Sequence, residues 1–74
     1  MKKYCIVDQT TGDWFEEILG DTTEEEAIKS ADLSFSYLTK SDLKKRTAFF
    51  LAYGELDEEG CFDLDTADVI KEYI

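Results

Sequence analysis

Residues 47–54, Thr-Ala-Phe-Phe-Leu-Ala-Tyr-Gly, form an uncharged run between a basic cluster and an acidic stretch, and no other segment constrains the fold as strongly. The run is too short for a typical globular helix, is rich in aromatics and ends in Gly, so it reads as a buried strand. Alternation puts Thr47, Phe49, Leu51 and Tyr53 on one face and Ala48, Phe50 and Ala52 on the other. The small face either lets a helix approach closely or leaves Phe50 as its lone anchor. A strand apolar on both faces is rarely an edge, because an exposed apolar edge invites aggregation. It is therefore expected in the middle of the sheet.

Lys3–Asp8 alternates Tyr4 and Ile6 against Cys5 and Val7, a short strand that is mainly apolar on both faces. Gly12 is free to take a positive φ and Asp13 can hold a local backbone bond, so the chain is expected to reverse there. The apolar residues of 14–19 fit a helical face as well as a strand. A second strand paired with the first is the better fit, since a turn leads directly into it and Gly20 and Asp21 end it early. The central strand is placed beside strand one.

Thr22 with Glu25, or Thr23 with Glu26, has capping-box spacing, and Glu24, Glu25 and Glu26 lie where a helix dipole favours anions. Ile28, Ala31, Phe35 and Leu38, flanked by Ala27 and Ser34, define one apolar stripe, which predicts a helix over about 22–38. Thr39 and Asp42 repeat the capping pattern, with Leu38 and Leu43 spaced as a staple, and Lys44, Lys45 and Arg46 close the short helical turn that follows. After the central strand, Cys61–Leu64 can add a short strand. Asp65 then reads as the cap of a last helix over 66–73, with Asp68 at its third position, Leu64 set against Val69, and Ala67, Ile70, Tyr73 and Ile74 facing inward. The resulting fold is α+β: a small antiparallel sheet, built from the N-terminal hairpin and strand 47–54, with helices 22–38 and 66–73 against one face.

At 74 residues the chain is expected to be one domain of modest stability, whose remaining apolar surface a partner or a second copy can complete. Eighteen acidic residues against eight basic ones give a formal charge of −10, which opposes direct binding to nucleic-acid phosphates or to an anionic membrane and favours a basic protein partner. Solubility alone is also a sufficient reason for such acidity. No apolar run is long enough to span a bilayer, and the start Met1–Asp8 is too short for a secretory core, so a cytoplasmic location is expected.

Cys5 and Cys61 are too few and too far apart for a disulfide framework, and without His the usual metal sets cannot form, so no cofactor or metal is expected. Laid on a calcium-loop template from Glu55, the carboxylates of Asp57, Glu59 and Asp63 fall at ligand positions, but Thr66 stands where the bidentate Glu belongs. The inventory of carboxylates, thiols and hydroxyls is a poor one for acid–base or nucleophilic catalysis, and the expectation is a protein that is not an enzyme.

The charge is unevenly placed: Asp8–Glu26 and Glu55–Asp68 contain acidic residues and no basic one, with Lys40–Arg46 between them. If the first hairpin and the loop after the central strand share a side, the carboxylates form a continuous surface resembling spaced phosphates. The segments Leu38-Thr39-x-x-Asp42, Asp57-Glu-Glu-Gly-Cys61 and Asp65-Thr-Ala-Asp-Val-Ile-Lys-x-Tyr73 resemble small uncharacterised acidic proteins of bacterial prophages and conjugative elements. That resemblance implies a mobile-element context and carries no activity or ligand with it. Two functions follow from the residues. One is a protein–protein interaction module, homodimeric or docked on a basic partner, using Trp14, Glu16, Glu17, Asp57, Glu58, Glu59 and Asp63. The other is a nucleic-acid mimic that blocks a basic groove in a DNA- or RNA-binding protein.

Overall fold

The computed structural model describes residues Met1–Ile74, in the order β1 (Lys2–Thr10), β2 (Asp13–Ile18), α1 (Glu24–Ser36), α2 (Lys40–Lys45), β3 (Arg46–Glu55) and β4 (Asp68–Glu72). The strands make one antiparallel sheet of spatial order β2-β1-β3-β4. As expected, residues 14–18 are a strand paired with β1, and Gly12 takes φ +90° in the turn between them. The uncharged run is indeed interior, with Ile6 opposite Leu51 on one side and Leu51 opposite Lys71 on the other.

α1 starts where its sequence says it should: Thr23 is the N-cap, and its hydroxyl accepts the Glu26 N–H at 3.2 Å. Its small residues Ala27 and Ala31 are fully buried against Ile6, Phe49 and Leu51, with Ile28, Phe35 and Leu38 packed around them. The helix thus lies on the bulky face of β3, and the close approach comes from alanines on the helix. The small face takes something else. Residues 56–67 fold back under it, where Phe62, Leu56, Leu64 and Ala67 pack with Cys5, Val7 and Ala52. A Cβ built on Gly54 would come within 2.8 Å of the Ala67 Cβ, so Gly54 is needed for contact with this loop as much as to end a strand.

Two expectations in the C-terminal third are corrected. Residues 66–73 are not a helix; Asp68–Glu72 is strand β4, paired with β3. So short a segment makes a marginal helix, whereas pairing satisfies the free backbone groups along the second side of β3. In place of a helix cap at Asp65, Asp63 accepts the Asp65 N–H at 3.1 Å and the Thr66 hydroxyl at 3.0 Å in a local turn. Residues 61–64 contribute one isolated bridge, Phe62 with Leu56, in place of a strand. Only α1 and the α2 turn therefore remain as helices.

No helix is long and apolar enough to cross a membrane.

Candidate interaction surface

The sheet leaves one strand uncovered. All six residues of β2 are exposed, including Trp14 (51%), Phe15 (62%) and Ile18 (38%). Pairing with β1 fixes their directions: Phe15 and Glu17 stand opposite Asp8 and Ile6 on the helix face, while Trp14, Glu16 and Ile18 stand opposite Gln9, Val7 and Cys5 on the loop face. α1 lies over β1 and β3 and does not reach across β2, and the loop likewise covers the middle of the sheet. Between Phe15 and the helix a cleft of about 330 Å³ opens, lined by Ile6, Asp8, Glu17, Leu38 and Phe49. On the loop face the indole Nε1 of Trp14 donates to Glu16 Oε1 at 2.9 Å, which holds the ring along the strand.

The backbone of β2 is also available. Leu19 N–H donates to Tyr4 C=O at 2.8 Å, and antiparallel pairing alternates inward and outward groups, so the N–H and C=O of Trp14, Glu16 and Ile18 point away from β1. No strand lies beyond them.

The other expected surface residues lie elsewhere. Asp57, Glu58, Glu59 and Asp63 belong to the loop after β3, and two of them have structural work. Asp57 Oδ1 accepts the Glu59 and Cys61 N–H groups at 2.9 and 2.8 Å, and Gly60 completes that turn at φ +85°. Asp63 holds the turn described above. Glu58 and Glu59 are simply exposed. Because Lys2 pairs with Glu55 and Thr10 with Arg46, this loop leaves the sheet at the end opposite the β1–β2 turn.

Cations interrupt the acidity. Arg46 grips Asp8 through Nε to Oδ1 at 2.9 Å and Nη2 to Oδ2 at 3.1 Å, both side chains largely buried. Beside it a polar groove of about 570 Å³ brings Asp13 and Asp42 together with Lys44 and Lys45. At the other end Lys3 pairs with Asp21 at 2.6 Å and holds its carboxyl below the usual range. The basic cluster, read from sequence as a helix terminus, is thus also the tie between α2, β3 and β1. Sequence reasoning brought out Trp14, Glu16 and Glu17, and missed Phe15 and Ile18. The signal for them was present: apolar residues on both faces of a short hairpin strand whose charges are all negative.

Of the two thiols, Cys5 is buried and burial pushes its pKa up to about 12, whereas Cys61 is exposed in the loop. Such a buried thiol is a poor nucleophile. Comparison with protein families, with curated proteins and with solved structures finds no match for this chain.

Proposed function

We propose that the protein is a non-enzymatic protein-interaction module of the cytoplasm, with β2 as its contact surface. The observation that carries this reading is that every residue of a six-residue edge strand, Trp14, Phe15 and Ile18 among them, is exposed. Aromatic and aliphatic side chains grouped with unpaired backbone are what a partner strand or a second copy covers. The resemblance of residues 38–73 to acidic mobile-element proteins suggests the cells in which to seek the partner.

The test compares the wild-type chain with Phe15→Glu, checked by circular dichroism for an intact fold. Light scattering across concentration reads self-association, and affinity capture from the source cells reads partners. An association lost in the variant supports the reading. A monomer at every concentration that captures nothing, or that captures the same protein in both forms, overturns it.

The alternative, a nucleic-acid mimic, asks for both acidic lobes on one side. Asp8 and Asp13 lie at the turn end beside Arg46 and Lys45, while Asp21, at the end from which the acidic loop leaves, is paired with Lys3, so cations interrupt the surface at both ends and the mimic is the weaker reading.

A further inference from the structure

We propose that β2 is extended by an antiparallel strand of a cationic partner protein, one that sets two consecutive Lys or Arg residues opposite Glu17 and Glu16 and apolar residues opposite Ile18, Phe15 and Trp14. The proposal rests on the reading of β2 as the contact surface and adds the chemistry of its occupant.

Three observations lead to it. The outward N–H and C=O groups of Trp14, Glu16 and Ile18 are a ready template for strand addition. In an antiparallel pair directly opposed residues share a face, so each face of an added strand meets an apolar group and a carboxylate: Phe15 and Glu17 on one side, Trp14, Ile18 and Glu16 on the other. Neither Glu16 nor Glu17 has a cation within the molecule, since the ion pairs are Met1–Glu55, Lys3–Asp21, Arg46–Asp8 and Lys71–Asp32. A strand with two adjacent cations supplies both, one on each face. Read from its N-terminus, the fitting segment is apolar, cationic, cationic, apolar, apolar.

A second copy fits less well. A two-fold antiparallel pairing joins the outward groups of Trp14, Glu16 and Ile18 only in registers that set even-numbered residues opposite even-numbered ones, and two of these overlap most of the strand. One sets Glu16 opposite Glu16 and Trp14 opposite Ile18. The next sets Phe15 opposite Phe15 and Asp13 opposite Glu17. Both place carboxylates against carboxylates, and both bring together chains of formal charge −10. A cationic strand turns the same two positions into attractions and gains long-range steering.

The probe is a cyclic β-hairpin peptide whose free outer strand reads Val-Arg-Arg-Ile-Val, titrated to about 1 mM against the full chain, with a control in which Glu replaces both Arg. Cyclisation keeps the ordering cost small. The expected result is saturable binding by the Arg peptide that weakens with salt, slowed exchange of the Trp14, Glu16 and Ile18 amides, and no saturation by the control. Glu16→Gln combined with Glu17→Gln should weaken binding about fivefold, since each opposed charge pair contributes only a fraction of a tenfold step and Gln can still accept from the indole. Equal binding of both peptides, no saturation, or protection on α1 or β4 in place of β2 overturns the proposal. If light scattering shows a dimer with the same three amides protected, the cationic occupant fails while the interaction reading stands. The same division holds if the peptide fails but Phe15→Glu abolishes capture of a cellular protein. When that capture is also absent, both fail.

Discussion

β2 and β4 are the two edges of the same sheet, and they are finished differently. β4 is short, carries Asp68, Lys71 and Glu72 among its residues, and exposes one sizeable apolar side chain, Val69. Its register with β3 shifts between Leu51 and Ala52, which accommodates Ile70 against the helix-face core. Asp32 of α1 then fastens it, accepting from Lys71 Nζ at 2.8 Å and from the Tyr73 hydroxyl at 2.5 Å. Mixed charge and a bulge are the devices by which proteins close an edge to further strands. β2 runs in unbroken register with β1, carries charge of one sign only and shows three large apolar residues to solvent. The difference teaches that the open edge is particular to β2. This chain closes one edge with a bulge, charges of both signs and a tie to α1, and leaves the other guarded by carboxylates alone.

The comparison breaks first at its common support. Phe49→Ala or Leu51→Ala removes a side chain buried between α1 and the middle of the sheet, and should destabilise by about 2–5 kcal/mol in urea titrations. Exchange of β2 and β4 amides should quicken together; loosening of one edge alone would show that they are supported separately. A smaller effect should separate them. Gly54→Val forces a side chain into the contact with Ala67 and Phe62, an overpacking of about 1–3 kcal/mol by calorimetry. Since that loop leads into β4, the β4 amides should lose protection before those of β2.

The clamp on β4 gives a pH test. Hydrogen bonding to Lys71 and then to Tyr73 holds the Asp32 carboxyl below its ordinary pKa. Its contribution is therefore present above the unfolded carboxylate pKa, near 4, and fades as pH falls through the lower folded value. The difference in melting temperature between wild type and Asp32→Asn should shrink on acidification, with β4 exchange rising and β2 exchange unmoved. The effect is smaller than either core change, because the pair is half exposed and screened. Smallest of all, Ile18→Lys and Val69→Lys should each change stability by within about 0.5 kcal/mol. Only the β2 variant should lose the captured partner, and equal loss from both would erase the distinction between the edges.

Local signals led to local structure where the signal was chemical. The Thr23 cap, the reciprocal Thr39–Asp42 bonds at 3.0 and 3.1 Å, and the turn at Gly12 all follow from residue types at fixed spacing. Residues 66–73 resemble a helix in sequence for the same reason that α1 is legible there. Asp65-x-x-Asp68 followed by Val69 and Ile70 has the spacing of a cap and a stripe, and the choice against it depends on hydrogen bonds to β3, far away in sequence. The candidate surface was half legible. Trp14, Glu16 and Glu17 were visible as an aromatic and two charges, but a strand apolar on both faces looks the same whether it is buried or bare.

The sequence by itself determined a central strand, a hairpin before it, one well-capped helix and a strongly acidic surface, because alternation, capping and turn chemistry act within a few residues. Tertiary structure alone decided which face of β3 the helix covers, that the last segment pairs as a strand, and that β2 is left at the edge with Trp14, Phe15 and Ile18 uncovered. Those outcomes turn on which distant backbone groups and side chains meet once the chain closes, and no local pattern records that.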